Sequence, residues 1–150
     1  MTRVFESASD EQTRAIGGEI AGLLRPPLLL ILTGDLGAGK TTLVKGVVAA
    51  LNAGDEEAVT SPTFTLVHAY EGLQDGRPVR LMHLDVYRLE SERQLATLGL
   101  AELMVDDALV LVEWGEKFAS VTEMADGVIR IESLGADRRR ITLSMPEADA

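Results

Sequence analysis

Eight consecutive residues, Gly34-Asp35-Leu36-Gly37-Ala38-Gly39-Lys40-Thr41, match the pattern G-x-x-x-x-G-K-[ST] in full and directly follow the apolar run Leu28 to Thr33. The chemistry of that spacing is phosphate binding. Glycines at 34, 37 and 39 let the backbone turn so that successive N–H groups converge on an anion, and a helix opening near Lys40 adds its positive end. Lys40 is expected to stand as an exposed cation over the β- and γ-phosphates of a nucleoside triphosphate, while the Thr41 hydroxyl supplies an oxygen to Mg²⁺. A glycine-rich turn between strand and helix would need neither a lysine nor a hydroxyl at these offsets.

A phosphate loop binds, and turnover also needs a carboxylate at the end of a neighbouring strand. Two strand segments end that way: Ala108 to Val112, closed by Glu113, and Arg80 to Leu84, closed by Asp85. Glu113 is the better metal carboxylate because its strand is wholly apolar, as expected where ligands collect at carboxyl ends of a parallel sheet. Thr60-Ser61-Pro62-Thr63-Phe64 carries three hydroxyls around a proline and reads either as a segment that senses the γ-phosphate or as a strand entry with local hydroxyl-to-backbone bonds. Trp114 either faces the nucleotide or a partner, or fills the core or an edge. His68 and His83 lack metal-ligand spacing and read as structural. Arg138 to Arg140 reads as a solvated hairpin face.

These residues need elements to hold them. Ile16, Ile20, Leu23 and Leu24 recur at helical spacing over Asp10 to Leu24, with Ser9 or Asp10 as cap, and Pro26-Pro27 ends the helix. Leu28 to Thr33 reads as a strand buried on both faces. A second helix is expected over Thr41 to Leu51, an extended segment over Val59 to Ala69, a turn-rich loop over Gly72 to Pro78 and a strand over Val79 to Asp85. Ser91 opens a helix to Leu103 with Gln94 completing a capping box, interrupted near Gly99. A strand at Ala108 to Val112 and one short helix over Gly115 to Ala125 precede a hairpin, Gly127 to Glu132 and Arg140 to Ser144. Strands alternating with helices predict an α/β fold: one phosphate-loop NTPase domain over 1–150, its mostly parallel sheet flanked by helices, with antiparallel additions and a C-terminal hairpin.

The composition narrows the function. A chain of 150 residues, 46% apolar and 25% charged, has the size and balance of one globular domain. With no cysteine it has neither disulfides nor thiolate metal ligands. The first ten residues lack an apolar targeting core, and the longest apolar run, Pro26 to Leu32, is far below a membrane span. A cytoplasmic protein without membrane contact is expected. A net charge of −10 opposes direct capture of DNA or RNA, so any RNA would be held by a partner.

Taken together, the phosphate loop through Thr42, the block Thr60 to Val67, His83-Leu84-Asp85-Val86-Tyr87-Arg88-Leu89 and Leu111-Val112-Glu113-Trp114 resemble the TsaE family, formerly YjeE. The likeness runs from Asp10 to about Glu116 in order and thins beyond. It implies an ATPase required for threonylcarbamoyl modification of adenosine in tRNA, one that docks on the TsaB and TsaD proteins and resets that complex between rounds, meeting tRNA only through it. It also implies ATP and Mg²⁺ as ligands, with catalytic roles for Lys40, Asp85 and Glu113 and metal contacts from Thr41 and Glu113. Nucleotide contacts are implied for Gly34, Asp35, Leu36, Gly37, Ala38, Gly39, Lys40, Thr41, Thr42, Ser61 and Thr63, with the segment at Glu11 near the adenine. Relatives often carry proline where this chain has Gly115. The rival readings are a small metabolite kinase, for which only Gly72 to Pro78 offers a lid, a GTP-dependent switch, which would carry an Asn-Lys-x-Asp string absent here, and a nucleotide-gated binding module with negligible turnover alone.

Overall fold

The computed structural model describes residues 1–35, 37–54, 59 and 67–146. Its elements run β1 (Thr2–Ser7), α1 (Asp10–Leu23), β2 (Leu28–Gly34), α2 (Lys40–Ala50), β3 (Val67–Gln74), β4 (Arg77–Asp85), α3 (Glu92–Ala96), α4 (Leu100–Leu103), β5 (Ala108–Glu113), a 3₁₀ turn (Gly115–Lys117), α5 (Ala119–Met124), β6 (Gly127–Gly135) and β7 (Arg138–Ser144). The seven strands among the described residues form one sheet in the order β1-β7-β6-β2-β5-β4-β3. The four central strands β6, β2, β5 and β4 are parallel, and β1, β7 and β3 add antiparallel edges.

Alternation along the strands sorts the core into two layers. Leu30, Leu32, Leu81, Leu109, Leu111, Ile129 and Ile141 face α1 and α2, whereas Leu29, Ile31, Met82, Leu84, Val110 and Val112 face α3, α4 and α5. Every residue of β5 is buried because it is covered on both sides, which is why this strand reads as an uninterrupted apolar run.

Several expectations about boundaries are refined. Ser9 is the cap of α1, its hydroxyl accepting from the Gln12 amide at 3.1 Å, and Ser91 caps α3 in the same way through Gln94 at 3.1 Å. The helix expected from Ser91 to Leu103 is two short helices divided at Gly99, whose φ of +64° ends one and opens the next. The segment Gly115 to Ala125 is likewise a 3₁₀ turn followed by α5. The loop expected over Gly72 to Pro78 is instead a tight hairpin: β3 continues to Gln74, and only Asp75 and Gly76, both at positive φ, make the turn. Residues 60–66, expected to be extended, lie outside the described residues. β1 was unmarked in sequence, being an edge strand with four exposed residues out of six that pairs with β7 from Thr2 opposite Ser144 to Ser7 opposite Arg139.

Helix α2 is seated by near-contact of backbones. A Cβ on Gly46 would collide with the Arg14 carbonyl oxygen of α1, and one on Gly17 with the Leu43 carbonyl oxygen of α2. Only glycine at both positions allows α1 to lie so close, and α1 thereby fixes the helix whose first turn carries Lys40. Gly46→Ala is therefore expected to cost about 1–3 kcal/mol through backbone displacement. Gly18→Ala, whose added Cβ would meet nothing nearer than 3.7 Å, should gain about 0.5–1 kcal/mol from helix propensity. Urea unfolding of the two variants checks both signs.

Candidate nucleotide site

The sheet register builds the site. Leu32 of β2 pairs with Glu113 of β5, and Glu113 with Asp85 of β4, so Gly34 and the two carboxylates emerge together at the carboxyl edge of adjacent parallel strands. A cavity of about 610 Å³ opens there, lined by Asp35, Gly37, Gly39, Lys40, Thr41, Thr42, Asp85 and Glu113, with Asp10, Tyr87, Trp114 and Arg139 completing its wall. Its volume suits a nucleotide-sized ligand. Gly39, the N-cap of α2, holds φ +108° and ψ 18°, a left-handed conformation that turns the chain into the helix.

Lys40 is not the exposed cation expected from the sequence. It is 9% exposed, and its Nζ donates to the Gly34 carbonyl at 2.8 Å, lies 3.4 Å from Glu113 Oε1 and sits 5.2 Å from the centre of the Trp114 ring. The loop folds back over its own lysine, leaving the amine boxed between a carbonyl, a carboxylate and an indole. Trp114 itself adopts φ +66°, uncommon for a bulky side chain, and packs 4.9 Å from the Tyr87 ring. Its half-buried indole lines the cavity and also packs against the core layer under α3, α4 and α5.

Glu113 is held from two sides. His83, fully buried, donates through Nε2 to Oε2 at 2.5 Å, which leaves Oε1 on the Lys40 side. Burial alone would push the Glu113 carboxyl pKa up. The hydrogen bond and charge of His83, joined by Lys40, outweigh burial and hold it below its ordinary 4.5. His83 Nδ1 is buried and has no hydrogen-bond partner among the described residues. The histidine read as merely structural thus buttresses the carboxylate, a pairing across thirty positions that spacing does not reveal. Asp85 is also buried, its Oδ1 accepting from the Tyr87 amide at 2.8 Å.

The remaining predicted site residues fall into three groups. Asp35, Gly37, Gly39, Thr41 and Thr42 line the cavity, while the Ala38 side chain points into the core at 2% exposure. Glu11 lies on the exposed first turn of α1, and its neighbour Asp10 lines the cavity in its place. Leu36, Ser61 and Thr63 lie outside the described residues. Arg139, expected on a solvated hairpin face, is 13% exposed and donates to Asp10 Oδ1 at 2.7 Å.

The comparisons decide the family. The family model for "Threonylcarbamoyl adenosine biosynthesis protein TsaE" matches residues 7–141. The chain belongs to the TsaE family. Among its relatives, the tRNA threonylcarbamoyladenosine biosynthesis protein TsaE of Treponema pallidum is 36% identical over 92% of this chain and 97% of its own. The protein of that name from Bacillus subtilis is 38% identical over 93% of this chain and 84% of its own. The crystal structure of Bacillus subtilis YdiB superposes with a TM-score of 0.69 at 32% identity, covering 97% of this chain and 86% of that one. The TsaE match reaches into β7, beyond Glu116, where the likeness in motifs thins. Among the described residues no helix is long and apolar enough to cross a membrane.

The electrostatics of Glu113 predict a pH signature. Because its folded pKa is depressed, the stability it contributes is complete above about pH 4.5 and is lost as pH falls through the lower folded value. Glu113→Gln should therefore be less stable than the parent at pH 7, by about 1–3 kcal/mol. The gap should shrink on acidification toward pH 3, as followed by urea unfolding across that range.

Proposed function

We propose that this chain binds ATP with Mg²⁺ in the cavity at Lys40 and hydrolyses it in the service of tRNA threonylcarbamoyladenosine formation, resetting a TsaB–TsaD transferase complex between rounds. The observation that carries the reading is the convergence of the phosphate loop, Lys40, Thr41 and the strand-end carboxylates on one cavity, in a chain whose TsaE match covers residues 7–141. The loop amides and α2 N-terminus receive the phosphates, and Lys40 exchanges its Gly34 and Glu113 contacts for phosphate oxygens. Glu113 and Thr41 would hold Mg²⁺. Their carboxylate and hydroxyl are hard oxygen donors on one cavity wall, and the carboxylate is kept ionised, which fits this ion. Among the described residues no group of three or more His, Cys, Asp or Glu could hold a metal on its own, and a cation carried by nucleotide phosphates needs no such cage. Held there, the ion would supply positive charge against the nucleotide's phosphates. Asp85, on the strand next to Glu113, orients the attacking water, and Ser61 and Thr63 sense the γ-phosphate.

The kinase alternative leaned on Gly72 to Pro78 as a lid. That hairpin turn precedes β4, whose other end bears Asp85, so it lies a full nine-residue strand away from the cavity, about 30 Å at the usual rise.

Lys40→Ala should abolish measurable ATP affinity in a calorimetric titration. Because Lys40 is buried against Glu113, it should also lower the melting temperature, so Thr41→Ala serves as the companion variant. Glu113→Gln should keep nucleotide affinity within roughly tenfold while lowering turnover about 100-fold or more, and Asp85→Asn should impair turnover too. Turnover by the isolated protein should be slow and rise when TsaB and TsaD are added. Parental rates in both acid variants with partners present would sink the assignment, as would phosphate appearing on a small metabolite.

A further inference from the structure

The β7 flank of the cavity carries a feature that the phosphate chemistry does not use. Strand order sets β5 and β4, with their carboxylates, on one side of β2, and β6 and β7 on the other. A nucleotide whose triphosphate end and metal lie toward Glu113 therefore directs its nucleoside toward β7. There Arg139 is clamped: Nη1 donates to Asp10 Oδ1 at 2.7 Å and lies 3.4 Å from Thr13 Oγ1, so the first turns of α1 fix the group from behind. A Cβ added to Gly39 would lie 2.8, 2.9 and 3.1 Å from Arg139 Nε, Cδ and Cζ. These near-equal distances mean that the flat of the guanidinium, not its tip, rests against the phosphate loop.

We infer that Arg139 is a base-contacting residue of this site, its guanidinium plane forming the platform on which the base of the bound nucleotide stacks. The inference rests on the nucleotide reading above and deepens it. Two observations favour base over phosphate. Asp10 accepts a hydrogen bond from Arg139 and offsets part of its charge, and an anion at that point opposes phosphate, whereas the carboxylates on the β5 flank are matched by a cation that arrives with the nucleotide. A planar guanidinium held by Asp10 and Thr13, with little freedom left, suits an aromatic ring, which it can cover at small entropic cost. Gly39 then has a second requirement besides its positive φ, since any side chain there would displace the platform.

Calorimetric titrations with ATP and with inorganic triphosphate, both with Mg²⁺, separate the possibilities for the parent, Arg139→Ala and Arg139→Lys. Both variants should lose roughly tenfold in ATP affinity and nothing in triphosphate affinity, because lysine restores the charge and not the plane. Equal losses for both ligands, or rescue by lysine, would assign Arg139 to phosphate and overturn the inference. So would unchanged ATP affinity in variants whose melting curves show them folded. A parent that binds neither ligand would bring down the nucleotide reading itself, a result distinct from variants that bind as the parent does. Arg139→Lys keeps the aliphatic stem and the partner for Asp10, so it serves if the alanine variant fails to fold.

Discussion

Parallel pairing of β2, β5 and β4 in one register is the constraint on which the site depends. Leu32 opposite Glu113, and Glu113 opposite Asp85, bring the loop and both acids to the same edge at the same height. A slip of one residue would turn each carboxylate to the opposite face of the sheet and bury apolar side chains against the wrong helices. The register is secured by burial on both faces, since β5 has no exposed residue to tolerate a shift. The two-layer core and the site are thus consequences of a single alignment.

Around that alignment the charged and hydrogen-bonding groups form a buried triad and a pair. Lys40 and His83 share the Glu113 carboxylate on one flank of β2, and Arg139 and Asp10 face each other on the other. The first set is almost wholly buried and costs desolvation, which close hydrogen bonds offset. The second is half open to water at Asp10, whose carboxyl is held below its ordinary value chiefly by the hydrogen bond from Arg139. An acidic protein with a net charge of −10 nevertheless places its cations where the cavity needs them.

Much of this was legible in the residues. The phosphate loop is local in sequence, so its spacing alone located strand, loop and helix, and the apolar run before Glu113 marked a buried parallel strand. What escaped notice depends on contacts between distant positions. His83 acquires its role only when β4 pairs with β5, and Arg139 only when the hairpin register and the start of α1 bring it over Gly39. The edge strand β1 escaped because mostly exposed residues against a single neighbour leave no clear alternation. The segment Gly72 to Pro78 misled because its glycines and proline suggested a loop, whereas Gly72 sits in β3 against the Leu51 carbonyl and Pro78 pairs on β4 with Leu73. Lys40 misled in the opposite sense. Phosphate-binding lysines are drawn as free cations, yet a compact loop satisfies its own amine.

The left-handed backbone at Trp114 has an optical consequence. This is the chain's one tryptophan, and its indole stands within 5.2 Å of a charged amine and 4.9 Å of a tyrosine ring. Indole emission responds to nearby charge and to the polarity of its surroundings, so all the tryptophan fluorescence of the protein arises from one wall of one cavity. Withdrawing the Lys40 amine from the ring alters the field on the excited state, and admitting or expelling water shifts its colour. The molecule therefore carries a built-in emitter whose signal is uncontaminated by any second indole, positioned beside the loop lysine.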